Sequence, residues 1–165
     1  EKARAAAAKA SAGNSNSSTS GTGNTGNSAG GTSSYSTGSS GGGENPSYST
    51  SVSGSSVVSY ACQFVGNPYV WGGTSLTNGA DCSGFVMSVY AAFGVSLPHS
   101  SSAMRGVGYE VSQADMQPGD IVCYSGHVAI YVGNNTIVHA STPESGIKYT
   151  SPAAYRSIIT VRRIF

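Results

Sequence analysis

Between residues 11 and 54, Ser, Gly, Thr and Asn fill 37 of 44 positions, and this run decides how much of the 165-residue chain can fold. Its only sizeable apolar side chains are Tyr35, Tyr48 and Val52. So little apolar surface cannot offset the entropy of ordering the backbone. The run reads as a flexible linker, residues 11–54, with a root-mean-square reach of roughly 35–40 Å. The segment before it, EKARAAAAKA (residues 1–10), has high helix propensity but is too short for an isolated helix in water. It reads as the end of a longer helix or coiled coil lying upstream, with the chain a fragment or processed product. No apolar run approaches membrane-spanning length.

Residues 55–165 carry the apolar density of one compact domain. Their five positive side chains, Arg105, Lys148, Arg156, Arg162 and Arg163, balance Asp81, Glu110, Asp115, Asp120 and Glu144. Zero net charge argues against a nucleic-acid partner. Arg162 and Arg163 are neighbours on an expected strand, so they point opposite ways and form no patch.

The pattern along this segment changes once. Ser55 or Ser56 is placed to cap a helix over VVSYACQFV, ending at Gly66 and Pro68. A Gly-rich loop, PYVWGGTSLTNGA, leads into CSGFVMSVYAAFG, where Phe85, Val89 and Phe93 recur every four residues and Gly94 supplies a stop. LPHSSSAM reads as a short helix and QPGD as a turn. DIVCY, HVAIYVG, TIVHA, IKYT and IITVRRIF then read as short strands separated by turn residues. Helices followed by antiparallel strands give an α+β fold.

Of the three cysteines, Cys62 and Cys123 lie among apolar neighbours and read as small core residues. They could form a single disulfide, but two isolated thiols are the simpler expectation. Cys82 differs, because it opens a helix in DCSGFV. The free N–H groups and positive dipole end there favour thiolate over thiol. Gly84 permits close approach of another backbone, and the small Ser83 leaves the N–H groups open to an oxyanion. The competing reading makes Asp81 only a helix cap and Cys82 only small.

A nucleophilic thiol needs a base that works near neutral pH, and the candidates are His99, His127 and His139. His127 and His139 fall on consecutive strands. With Cys82 they supply nucleophile, base and base-orienting group in papain-like order. His99, in LPHSS, receives no catalytic role. With these residues assigned, no cluster of metal ligands remains, and the chemistry calls for no metal or other cofactor.

The motifs NPYVWGG, DCSGFV, LPHSSSAM, QPGDIV, GHVAIYVG and IVHAS resemble the NlpC (NlpC/p-sixty) family of bacterial cell-wall cysteine peptidases, from about Val57 to Phe165. The resemblance implies a papain-like fold with N-terminal helices packed on an antiparallel sheet. It implies Cys82 as nucleophile, His127 as general base and later acid, and His139 as the group orienting His127. Tyr69 would place its hydroxyl near the cysteine, Asp81, Ser83 and Ser125 would line the substrate groove, and Trp71 would pack beside it. The implied partner is the peptidoglycan stem peptide, most often cut between γ-D-glutamyl and the following diamino acid, by a secreted or wall-associated bacterial protein acting as a monomer. An amidase, an acyltransferase using the same thioester, or a non-catalytic wall-binding module would use the same scaffold.

One expectation concerns the turn between the histidine strands. A two-residue turn at Asn134 and Asn135 pairs Gly133 with Thr136, hence Ala129 with Ala140, and sends the two histidines to opposite faces. The expected connection is therefore a three-residue loop, Gly133 to Asn135 with Asn135 left-handed, which pairs Ala129 with His139 and puts both histidines on one face, with Cys82 above it.

Overall fold

A computed structural model describes residues 51–165 of the chain. The expectations for residues 1–10 and for the linker up to residue 50 lie outside the described residues. The first helix, α1, spans Gly54–Ala61, and its cap is Ser53, whose side chain accepts from the Ser56 N–H at 3.3 Å. The helix therefore begins ahead of the expected Ser55 or Ser56 cap. Ser53 is the residue that leaves its hydroxyl three positions before a free N–H. A single 3₁₀ turn, Cys62–Phe64, extends α1 toward Gly66.

The Gly-rich loop folds back on itself as two short strands, β1 (Thr74–Ser75) and β2 (Gly79–Ala80). Helix α2 then runs Cys82–Ala91. Gly94, at φ 77°, takes the left-handed conformation expected of a stop. LPHSSSAM is mostly irregular, with a 3₁₀ turn only at Ala103–Gly106. The short helix expected there is absent, because three consecutive serines compete for the backbone's hydrogen bonds. Ser100, for example, uses its hydroxyl to receive the Ala103 N–H at 3.3 Å.

The remainder forms β3 (Tyr109–Val111), β4 (Ile121–Tyr124), β5 (His127–Gly133), β6 (Thr136–Thr142), β7 (Gly146–Thr150) and β8 (Ile158–Arg163). They make an antiparallel six-stranded sheet in the order β3-β8-β4-β5-β6-β7. Five of the strands match the sequence expectation, and β3 is additional. At its far end, Arg163 and Arg162 do diverge. Arg163 forms a two-pronged pair with buried Asp120, at 2.7 Å on each oxygen, and Arg162 donates to the Val107 carbonyl.

The sheet has a different core on each face. Val128, Ile130, Val138 and Ala140 join Val57 of α1 and Phe85, Val86 and Val89 of α2. Val122, Tyr124, Ala129 and Ile137 form a second cluster with Ala153, from the segment between β7 and β8. All three cysteines are free.

The β5–β6 turn departs from expectation in an instructive way. Asn134 and Asn135 both have positive φ, 49° and 56°, and Gly133 pairs with Thr136, so the connection is the two-residue turn. Val132 is then an extra residue, and the register beyond it becomes Tyr131↔Ile137 and Ile130↔Val138. The bulge absorbs the slip that the longer loop was invoked to avoid. Extending this register places Ala129 opposite His139, and both histidines share one face.

Candidate active site

Asp81 organises the approach to Cys82. As the cap of α2 it has extended backbone (φ −86°, ψ −179°), and its Oδ1 receives the Gly84 N–H at 2.7 Å. Its Oδ2 receives the Gly72 N–H at 3.0 Å, which ties the Gly-rich loop to the helix start. The Ser83 hydroxyl also turns to Oδ1, at 3.3 Å, and His99 Nε2 lies 2.9 Å from it. Burial alone would raise the Asp81 carboxyl; the Gly84 N–H, His99 and the Gly72 N–H outweigh it and hold the group below its ordinary value. Gly84 sits where the Gly73 carbonyl meets the helix, and any Cβ there would collide with that oxygen.

Cys82 is the first residue of α2 and is partly buried. The N–H groups of Val128, Ser83 and Cys82 itself act to lower the thiol. Burial nevertheless raises the thiol above its ordinary value, and the neighbouring Asp81 carboxylate acts in the same direction. The helix start does supply N–H groups, but it does not by itself yield a thiolate.

The two histidines meet directly, His127 Nε2 lying 2.6 Å from His139 Nδ1 with the rings near perpendicular at 81°. Both are buried, at 7% and 1% exposure. By alternation they project from the same face as Ala129 and Ile137, whereas α2 packs on the opposite face. Cys82 therefore does not stand above the histidine face. It arrives where the β5–β6 ladder has ended, since pairing stops at Ile130↔Val138, and the Val128 N–H beyond that point acts on the thiol. That N–H belongs to the residue next to His127, so the thiol reaches the histidine end of β5 from the other side of the sheet.

Burial depresses both imidazoles, His127 to about 4, with Arg156 adding to the effect, and His139 to about 3, with His127, Lys148 and Arg156 adding. Both are neutral near pH 7. The far nitrogen of His139, Nε2, lies 2.8 Å from the Thr150 hydroxyl. Tyr155 packs against the His139 ring at 5.9 Å, and the Arg156 guanidinium lies 4.8 Å over the Tyr155 ring.

The remaining expected site residues divide. Tyr69 is partly buried, and burial, Cys82 and Asp81 all raise its hydroxyl, which puts it beside both. Ser125 is exposed in the tight turn just before Gly126 and His127. Ser83 is buried with its hydroxyl on Asp81. Trp71 does not pack against the domain, because at 85% exposure it projects into solvent. Sequence reasoning missed His99 and Thr150. The first carried no local signal, since His99 lies 18 residues from Asp81. The second depends on β6–β7 register. Among the described residues, no group of three or more His, Cys, Asp or Glu could hold a metal ion, and no helix is long and apolar enough to cross a membrane.

The model of the NlpC/P60 family matches residues 66–161, a span that contains Tyr69, Cys82, both histidines and Thr150. The chain belongs to the NlpC/P60 family. A probable endopeptidase of Mycobacterium tuberculosis is 44% identical over 89 residues, covering 52% of this chain and 23% of the relative. The gamma-DL-glutamyl hydrolase of Bacillus subtilis is 36% identical over 118 residues, covering 66% of this chain and 29% of the relative. The chain thus spans less than a third of the length of either curated relative. The crystal structure of the NlpC/p60 domain of the peptidoglycan hydrolase SagA superposes with a TM-score of 0.62 at 29% identity, over 68% of this chain and 100% of that one. The fold is that of the papain-like NlpC/P60 domain, in a family whose members are named peptidases.

Proposed function

We propose that this domain is a peptidoglycan DL-endopeptidase that cuts stem peptides at the bond between γ-D-glutamate and the following diamino acid, through a thioester on Cys82. The observation that carries the reading is the buried His127–His139 pair, at 2.6 Å, on the strand whose Val128 N–H acts on the Cys82 thiol. The names of the relatives support the substrate class.

With the thiol raised and the imidazole depressed, the resting proton stays on sulfur. His127 takes it as the sulfur attacks the amide carbonyl, and the N–H groups at the start of α2 receive the developing oxyanion. The leaving amine takes the proton back from His127, leaving the thioester. Water, deprotonated by the same imidazole, then attacks the thioester and restores the thiol. His139 holds the His127 ring throughout. Tyr69, Asp81, Ser83 and Ser125 line the groove, and exposed Trp71 stands at its outer edge, free to meet the wall polymer.

Such an enzyme works outside the cell or in the wall, as a monomer. Mass analysis of products from purified wall fragments tests the reading. Fragments split between D-glutamate and the diamino acid are the expected result. Release of intact stems from the sugar indicates an amidase, transfer to another amine an acyltransferase, and no cleavage a binding module; each would replace this reading.

A further inference from the structure

Thr150 ends β7, and the β6–β7 register pairs it with Ile137 and pairs His139 with Lys148. Thr150 is therefore the diagonal neighbour of His139 on the same face. Its hydroxyl lies 2.8 Å from His139 Nε2, and His139 Nδ1 lies 2.6 Å from His127 Nε2. One line of bonds joins the edge strand to the base and leaves a single ring nitrogen, His127 Nδ1, uncommitted.

The proton count along this line has two solutions. Two neutral imidazoles carry two N–H protons and two lone pairs, and their mutual bond uses one of each. In the first solution His127 donates from Nε2, His139 accepts at Nδ1, and the His139 proton sits on Nε2 and is donated to Thr150. His127 Nδ1 then has a lone pair with which to take a proton from the thiol. In the second solution the Thr150 hydroxyl donates to His139 Nε2, both ring protons move to the other nitrogens, and His127 Nδ1 carries hydrogen and cannot act as a base.

We propose that Thr150 is a positioning residue that selects the reactive tautomer of the histidine pair by accepting the Nε2 proton of His139. The inference rests on His127 being the base, as proposed above. His139 is 1% exposed, so water does not readily replace the hydroxyl. Without Thr150 a buried N–H would be left unpaired, and the pair would move toward the unreactive tautomer. The arrangement also serves the protonated state. When His127 holds both protons, His139 still accepts at Nδ1 and donates at Nε2, and nothing needs to turn.

The test combines a spectroscopic and a kinetic readout. In the whole protein labelled with ¹⁵N at histidine, ring shifts at pH 7 should show His139 protonated at Nε2 and bare at Nδ1. Protonation at Nδ1 in the unsubstituted protein would overturn the inference, and this arm needs no variant. Thr150→Val should lower kcat on stem peptide roughly 10- to 100-fold, leave KM within about twofold, and shift the His139 signals toward Nδ1–H, while Thr150→Ser restores both. Unchanged kcat and unchanged ring shifts in a folded Thr150→Val protein would also overturn it. Cys82→Ala, assayed alongside, separates the two claims. Residual full activity there sinks the nucleophile reading, whereas the tautomer in the resting protein stands or falls on its own.

Discussion

Cys82 lies between two histidine-containing pairs that the fold treats in opposite ways. On the loop side, Asp81 and His99 meet at 2.9 Å with the His99 side chain 32% exposed, and the carboxyl is held below its ordinary value. On the sheet side, His127 and His139 meet at 2.6 Å, buried, and both are pushed toward neutrality. The first pair does structural work with charge: one carboxylate caps the helix, holds the Gly72 loop and receives Ser83. The second works with position, holding a neutral ring of low proton affinity that the proposed mechanism uses to take the thiol proton only as the sulfur attacks. A charged residue in the second place would have to be desolvated at a cost of several kcal/mol. A neutral pair in the first would give up the charge-assisted bonds that hold the loop.

The contrast breaks first in turnover. Cys82→Ala and His127→Ala should each reduce hydrolysis of stem peptide roughly 10,000-fold or more, with circular dichroism unchanged. His139→Ala, which leaves the nucleophile and base in place but unoriented, should lose about a hundredfold. If His139→Ala retained full kcat, the sheet-side pair would be two independent histidines rather than one device.

Stability sharpens it next. Asp81→Ala leaves the N–H groups of Gly72 and Gly84 without their acceptor and should cost about 2 kcal/mol by chemical denaturation, whereas His99→Ala, losing only a partly exposed partner, should cost under about 1 kcal/mol. An equal loss from both would mean that His99, not the cap, holds the loop.

The two pairs also answer pH with the same sign but in distinct windows. Above pH 6.5 the buried histidines are neutral in both folded and unfolded chains and add nothing. Between 6.5 and about 4 only the unfolded chain takes up their protons, so stability falls as pH falls through that window. Asp81 contributes its share above the ordinary carboxyl value of 3.8 and loses it only as pH drops below that. Thermal midpoints should therefore already decline between pH 6.5 and 4, and replacing His139 should flatten that decline.

Much of this site was legible in the sequence because its parts carry local signatures. Histidines on two alternating strands were enough to predict that His127 and His139 meet, and a cysteine after a capping aspartate was enough to place Cys82 at a helix start. The turn was misread for a physical reason. Loop length and register were treated as one choice, but a bulge at Val132 separates them, so a two-residue turn coexists with the register that aligns the histidines. Thr150 was invisible because its role arises only from β6–β7 pairing across 11 residues of sequence. The thiolate expectation failed because the pull of the helix start was considered without the burial and the neighbouring carboxylate that oppose it. Trp71, read as packed, stands in solvent, since nothing in YVWGG indicates which side of the loop an aromatic ring will take.

The central claim is that the proton leaving Cys82 goes to a buried, neutral His127. The pH dependence of kcat/KM on a stem peptide, which reports groups of the free enzyme, tests it most directly. Below its own pKa His127 is already protonated and cannot accept from the thiol, so activity must be lost on the acid side. With His127 held down to about 4, kcat/KM should stay flat from about pH 8 to about pH 5 and fall with a midpoint near 4. An acid limb centred at the ordinary imidazole value of 6.5 would contradict the account, because the base would then be an exposed histidine rather than the one the sheet has buried.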